Sequence, residues 1–176
     1  MKAPVRNFKL YVAGKWVSEK ESMPVIDKFT GETFANVPVA SRETTERAIR
    51  AAHEAFPAWS RTPAHKRYKI LSNVSRLLEE RQEEIATIIC REAGKAWKYS
   101  VGEVSRSVET YRFSAEEAKR IHGETVPMDA SAAGEGRIGF WLRTPLGVVS
   151  AITPFNFPLN LVAHKVGPAL AVGNTV

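Results

Sequence analysis

The stretch Leu146-Gly-Val-Val-Ser-Ala-Ile-Thr-Pro-Phe-Asn-Phe-Pro-Leu159, carried on by Asn160-Leu-Val-Ala-His-Lys-Val-Gly-Pro-Ala-Leu-Ala171 and closed by Val172-Gly-Asn-Thr-Val176, decides the fold. Residues 148–152 are a short, largely apolar run with β-branched members, the composition of a buried parallel strand. Residues 153–158 cannot be helical, because Pro154 and Pro158 remove amide donors and push their predecessors out of the α region. Residues 159–171 have helical spacing, Gly173-Asn174 is a stop signal, and Thr175-Val176 starts another strand. The pattern predicts an α/β fold in which 148–152 and the segment from Thr175 are neighbouring parallel strands, with 159–171 as a right-handed crossover helix. The second strand holds only two residues, so the chain reads as cut inside a nucleotide-binding sheet after its first βα unit.

Working outward, residues 145–159 followed by Ala169-Leu-Ala-Val-Gly-Asn-Thr-Val176 resemble the start of the coenzyme domain of the aldehyde dehydrogenase superfamily. The more usual form of that motif has Trp where this chain has Phe155. The Phe form with Asn160-Leu-Val-Ala-His-Lys165 resembles the branch of lactaldehyde and non-phosphorylating glyceraldehyde-3-phosphate dehydrogenases. Leu10-Tyr-Val-Ala-Gly-Lys-Trp16 is similar to the N-terminal hairpin of the family, and Arg91-Glu-Ala-Gly-Lys95 to one of its helix ends. The resemblance implies the N-terminal portion of a Rossmann-like coenzyme domain. It divides into 1–122 (hairpin and helices), 123–145 (a β segment used in subunit contacts) and 146–176 (the first βα unit).

Composition agrees with a soluble globular chain. The 176 residues are 44% hydrophobic and 25% charged, enough for one core. No apolar run approaches a membrane span, and the start Met1-Lys-Ala-Pro-Val-Arg-Asn7 has no apolar signal core, so a cytoplasmic location is expected. A lone cysteine, Cys90, allows no internal disulfide. The net charge of +6 comes from 25 basic and 19 acidic residues interleaved as in Glu79-Glu-Arg-Gln-Glu-Glu84. Without a basic run or an aromatic-basic repeat, this describes solvated helix surface and argues against a nucleic-acid partner.

Nearer the N-terminus, residues 10–17 and 24–39 hold strand-like runs around Ala13-Gly14 and Thr30-Gly31, predicting a small antiparallel meander. Ser41 is placed to cap a helix carrying Ala48, Ala52, Ala55 and Trp59, with Pro57 at its end. Thr62-Pro63 predicts a cap and first helical position for the next helix, which would bury Leu71, Val74, Leu77 and Leu78. A break near Arg81 leads to Ile85, Ile88 and Ile89, and Gly94 ends that helix. Val101, Val104, Val108, Tyr111, Ala115 and Ala118 mark one long helix, expected to stop near Gly123. In residues 137–144, Ile138, Phe140 and Leu142 alternate with Arg137, Trp141 and Arg143, which is strand periodicity with a partly apolar second face.

The residue with the strongest claim to chemistry is Asn156. It follows the carboxyl end of a predicted parallel strand, where open α/β sheets bind ligands, on a loop stiffened by two prolines. Read from the residues alone, it is better explained as a turn asparagine, and only the family resemblance reverses that order. The resemblance implies that its side-chain amide donates to the oxyanion of a thiohemiacetal, and that Ile152, Thr153, Pro154, Phe155 and Asn156 line NAD or NADP. Phe155 keeps the aromatic wall but lacks the indole donor. The implied activity is NAD(P)-dependent oxidation of a small-molecule aldehyde to the acid through a cysteine thiohemiacetal, in a homo-oligomer (dimer or tetramer). Cys90, in the apolar company of Ile85, Ile88 and Ile89, is not read as that nucleophile. By itself the chain is then expected to oxidise no aldehyde and to associate. The rival reading is a non-catalytic fragment or pseudo-enzyme acting only in subunit association. His53, His65, His122 and His164 have no metal-pair spacing, so no metal site is expected. Lys95 and Glu103 read as surface charges.

Overall fold

The computed structural model describes residues 4–176, so residues 1–3, the start of the segment read for a leader, lie outside it. The N-terminal hairpin forms as expected: β2 (Leu10–Val12) and β3 (Lys15–Val17) pair antiparallel, with Tyr11 opposite Trp16 and their rings 5.0 Å apart. Ala13 and Gly14 both have positive φ, 52° and 76°, the twist that a two-residue hairpin turn requires.

The meander is corrected. The hairpin is a sheet of its own. β4 (Ser22–Ile26) and β5 (Thr33–Pro38) pair antiparallel in a second sheet, where β1 (Arg6–Asn7) joins β5 in parallel, giving the order β1-β5-β4. Two residues of β1 were too few to carry a periodic signal. This sheet is tied to the helices through Asp27, which accepts from the Phe29 and Thr30 amides and pairs with Arg91 Nε at 2.7 Å. The Arg91 guanidinium, then the Thr30 amide, hold the Asp27 carboxyl below its ordinary pKa.

Ser41 caps α1 (Arg42–Ser60) by accepting from the Thr44 amide at 3.1 Å. Pro57 does not end the helix. It lies in the last turn, where the chain continues helical for three residues and the Ser60 hydroxyl donates to the Pro57 carbonyl. The next start also differs: Pro63 itself is the N-cap of α2 (Ala64–Glu80), and the Thr62 hydroxyl donates back to the Ala58 carbonyl. Leu71 is fully buried, with Val74 and Leu78 half-buried beside it, but Leu77 is 46% exposed. Leu77 lies six residues from Leu71, about 120° around the helix. Arg81 breaks α2 from α3 (Gln82–Ala93), and Gly94, at φ 67°, closes α3 as expected.

α4 (Trp97–Ala118) is the axis of the molecule, although it stops before the expected Gly123. The expected stripe of Val104, Val108, Tyr111, Ala115 and Ala118 is buried against α2 and α3, and Val101 is half-buried. A second buried stripe, Ser100, Glu103, Ser107 and Ser114, runs beside it. Asn160, Ala163, Gly167 and Ala171 are the buried side of α5 (Asn160–Ala171), which packs against α4. A Cβ on Gly167 would stand 2.7 Å from Ser114 Oγ and 3.3 Å from Ser114 Cβ. Gly167→Ala should therefore cost about 1–3 kcal/mol through overpacking. A urea midpoint unchanged by that substitution would show that the α4–α5 contact is looser than this geometry requires.

The ribbon of β6 (Glu124–Val126) and β7 (Gly139–Trp141) is antiparallel and leaves Ile138, Phe140 and Leu142 strongly exposed. After it, Val148 pairs in parallel with Thr175: the Val149 amide donates to the Thr175 carbonyl at 2.8 Å and the Thr175 amide to the Gly147 carbonyl at 3.1 Å. The parallel pairing of the two segments and the helix between them are as expected, but neither segment forms a strand. The expected strand 148–152 is reduced to one bridge, since only Thr175 and Val176 stand opposite it. Among the described residues no helix is long and apolar enough to cross a membrane.

Candidate functional site

The loop 153–158 is anchored directly at its C-terminal end, and the segment that leads into it is fixed at residues 146–149. On its N-terminal side, buried Asn174 accepts from the Leu146 amide at 2.7 Å and the Gly147 amide at 3.0 Å with one side-chain oxygen. Gly173, at φ 89°, makes the turn that brings Asn174 there. The Thr175 hydroxyl donates to the Ala52 carbonyl, tying the bridge to α1. Arg67 Nε donates to the Ala171 carbonyl at the far end of α5, and burial lowers the Arg67 pKa.

The C-terminal side is held by Glu103, and here the expectation of a surface charge is wrong. Glu103 is completely buried. Its Oε1 accepts from the Leu159 amide at 2.9 Å and the Asn160 amide at 3.2 Å, at the start of α5. Its Oε2 pairs with Lys95 Nζ at 2.5 Å, and that side chain is only 18% exposed. A carboxylate at a helix N-terminus meets both the unpaired amides and the positive end of the dipole. The Lys95 ammonium also lies 3.8 Å from the centre of the Phe157 ring, and the Arg106 guanidinium 4.8 Å from it. The neighbouring carboxyl of Glu92 has a raised pKa, first through burial and then through the charge of Glu103.

The predicted site residues share this loop and face outward. Ile152 is 84% exposed and Phe155 91%; Pro154 and Asn156 are exposed and Thr153 half-buried. The loop thus presents two uncovered apolar side chains and one free amide just past the carboxyl end of a parallel bridge. Cys90 is half-buried and donates to Ser100 Oγ at 3.2 Å. His53, His65, His122 and His164 are exposed, and among the described residues no cluster of His, Cys, Asp or Glu could hold a metal.

Sequence reading missed Glu103, Lys95, Phe157 and Asn174 as anchors. One signal was present for Glu103. Ser100, Ser107 and Ser114 recur every seven residues on α4, the mark of a small-residue face for close helix packing, and Glu103 lies on that same face.

A parallel bridge that leads through an exposed loop into a crossover helix has the strand–loop–helix order of an open α/β sheet, which binds ligands past the carboxyl ends of its strands. The sequence pattern of the aldehyde dehydrogenase family matches residues 16–176, and this chain belongs to that family. It is 45% identical over 172 residues to the 3-sulfolactaldehyde dehydrogenase of Priestia aryabhattai, covering 98% of this chain and 36% of that protein. Aldehyde dehydrogenase 21 from Physcomitrella patens, solved with the reaction product succinate, superimposes with a TM-score of 0.94 at 40% identity, over 98% of this chain and 36% of that one. The NADP-dependent glyceraldehyde-3-phosphate dehydrogenase of Bacillus halodurans, solved with NADP, gives 0.92 at 39% identity, over 97% and 36%. The chain spans about a third of the length of the relatives it matches.

Proposed function

We propose that this chain supplies the coenzyme loop and one oxyanion donor of an NAD(P)-dependent aldehyde dehydrogenase that converts an aldehyde to a carboxylic acid. The observation that carries this reading is the exposed loop of Ile152, Phe155 and Asn156, which follows the parallel bridge and is anchored by Glu103 where it enters the crossover helix. Ile152, Thr153, Pro154 and Phe155 offer a mostly apolar wall on which a nicotinamide dinucleotide fits. That coenzyme supplies the hydride acceptor. Asn156 supplies an amide N–H aimed at the aldehyde oxygen. As a thiolate from outside this chain adds to the carbonyl carbon, negative charge builds on that oxygen, and a donor fixed before the reaction stabilises the charge without reorganising. Water would then release the acid, and the thiolate, from the thioester that remains once the aldehyde hydrogen has left as hydride to that acceptor. The exposed face of Ile138, Phe140 and Leu142 fits a contact between copies of the protein, which makes a homo-oligomer the natural assembly.

The test joins residues 1–176 to the part of the Priestia aryabhattai 3-sulfolactaldehyde dehydrogenase that lies beyond the match. The joined enzyme should reduce NAD or NADP with 3-sulfolactaldehyde or lactaldehyde. Residues 1–176 alone should give no turnover and should associate. A folded joined enzyme that binds coenzyme without turnover would favour a role in subunit association only.

A further inference from the structure

We propose that Glu103 is a positioning residue for Asn156, acting through the backbone of the loop; this rests on the function proposed above. Three observations converge. Glu103 is wholly buried, so its carboxyl oxygens must be met by protein groups and not by solvent. Its two oxygens divide the work: Oε1 takes the Leu159 and Asn160 amides, and Oε2 takes Lys95. Lys95 in turn lies against the face of Phe157, the residue next to Asn156. One carboxylate thus fixes both the backbone three and four residues beyond Asn156 and, through Lys95, the adjoining ring. The Asn156 side chain makes no hydrogen bond among the described residues, so its aim depends on this backbone. Misplacing a reacting group by about 1 Å can cost on the order of 100-fold in rate.

Two double variants of the joined enzyme separate positioning from charge burial. Lys95→Met with Glu103→Gln removes both charges but keeps an oxygen facing the two amides. Lys95→Met with Glu103→Leu removes both charges and the acceptor. The first keeps the acceptor for the two amides but loses the contact of Lys95 with Phe157, so its kcat should fall by only about 3-fold, the share carried by that contact. The second should lower kcat by roughly 10- to 100-fold with the coenzyme KM little changed. Added to Asn156→Ala, the Leu variant should bring almost no further loss, because both act on one hydrogen bond. Hydrogen exchange reads the anchor independently of turnover: the peptide covering 155–161 should exchange faster in the Leu variant than in the Gln variant, while α2 is unchanged. Equal kcat and equal exchange in the two variants would overturn the proposal. So would losses that multiply with Asn156→Ala. An inactive unmodified enzyme would instead strike the proposed function, and the exchange comparison would still decide whether Glu103 holds the loop.

Discussion

Asn156→Ala in the joined enzyme should slow acylation by roughly 100- to 1,000-fold, equivalent to about 3–4 kcal/mol of lost transition-state stabilisation. The loss falls on the chemical step, because the amide meets full negative charge only after the thiolate has added. Coenzyme affinity should change little, since Ile152, Thr153, Pro154 and Phe155 remain, the loop stays anchored at Glu103, and the segment leading into it stays fixed at Asn174. Stopped-flow measurement of the first turnover, with a separate fluorescence titration of NADH or NADPH, distinguishes the two effects. A variant with normal first-turnover rate would remove Asn156 from the chemistry and return it to the role of a turn residue.

Lys95→Met should be the most destabilising change of a single charge, by about 3–5 kcal/mol, because it strands the Glu103 carboxylate in a fully buried site. The surface pairs make a useful contrast. Arg42–Glu46 and Arg76–Glu80 are exposed, and breaking either should cost less than about 1 kcal/mol. Adding Glu103→Gln to Lys95→Met should recover most of the loss, since a neutral amide oxygen still accepts from Leu159 and Asn160 and no charge is left unpaired. Urea unfolding at neutral pH compares the three proteins. If Lys95→Met alone unfolds at the same midpoint as the unmodified protein, the ion pair is not holding a buried charge.

Much of the fold was legible because its signals are local. Ala13-Gly14, Ser41 and Gly94 each act within a few residues, and the structure puts a turn, a cap and a stop at those places. Pro57 and Thr62-Pro63 were read by the same local rules and shifted by a few residues. There the outcome depends on which carbonyls nearby hydroxyls can reach, as Ser60 and Thr62 do. The parallel pairing of Val148 with Thr175 was legible from strand, loop, helix and stop taken in order.

The candidate site divides the same way. The residues of the loop could be found from the sequence, because two prolines around an asparagine after a β-branched run are a pattern of neighbours. What holds the loop could not. Glu103 reaches Leu159 across 56 positions and Asn174 reaches Leu146 across 28. By itself, then, the sequence determined the N-terminal hairpin, the run of helices and the exposed loop 153–158, since each rests on backbone preferences within a few residues. Tertiary structure alone decided that a glutamate reading as surface charge is buried beneath that loop. Burial depends on which helices pack together, and a carboxylate can bear it only where two free amides and an ammonium converge.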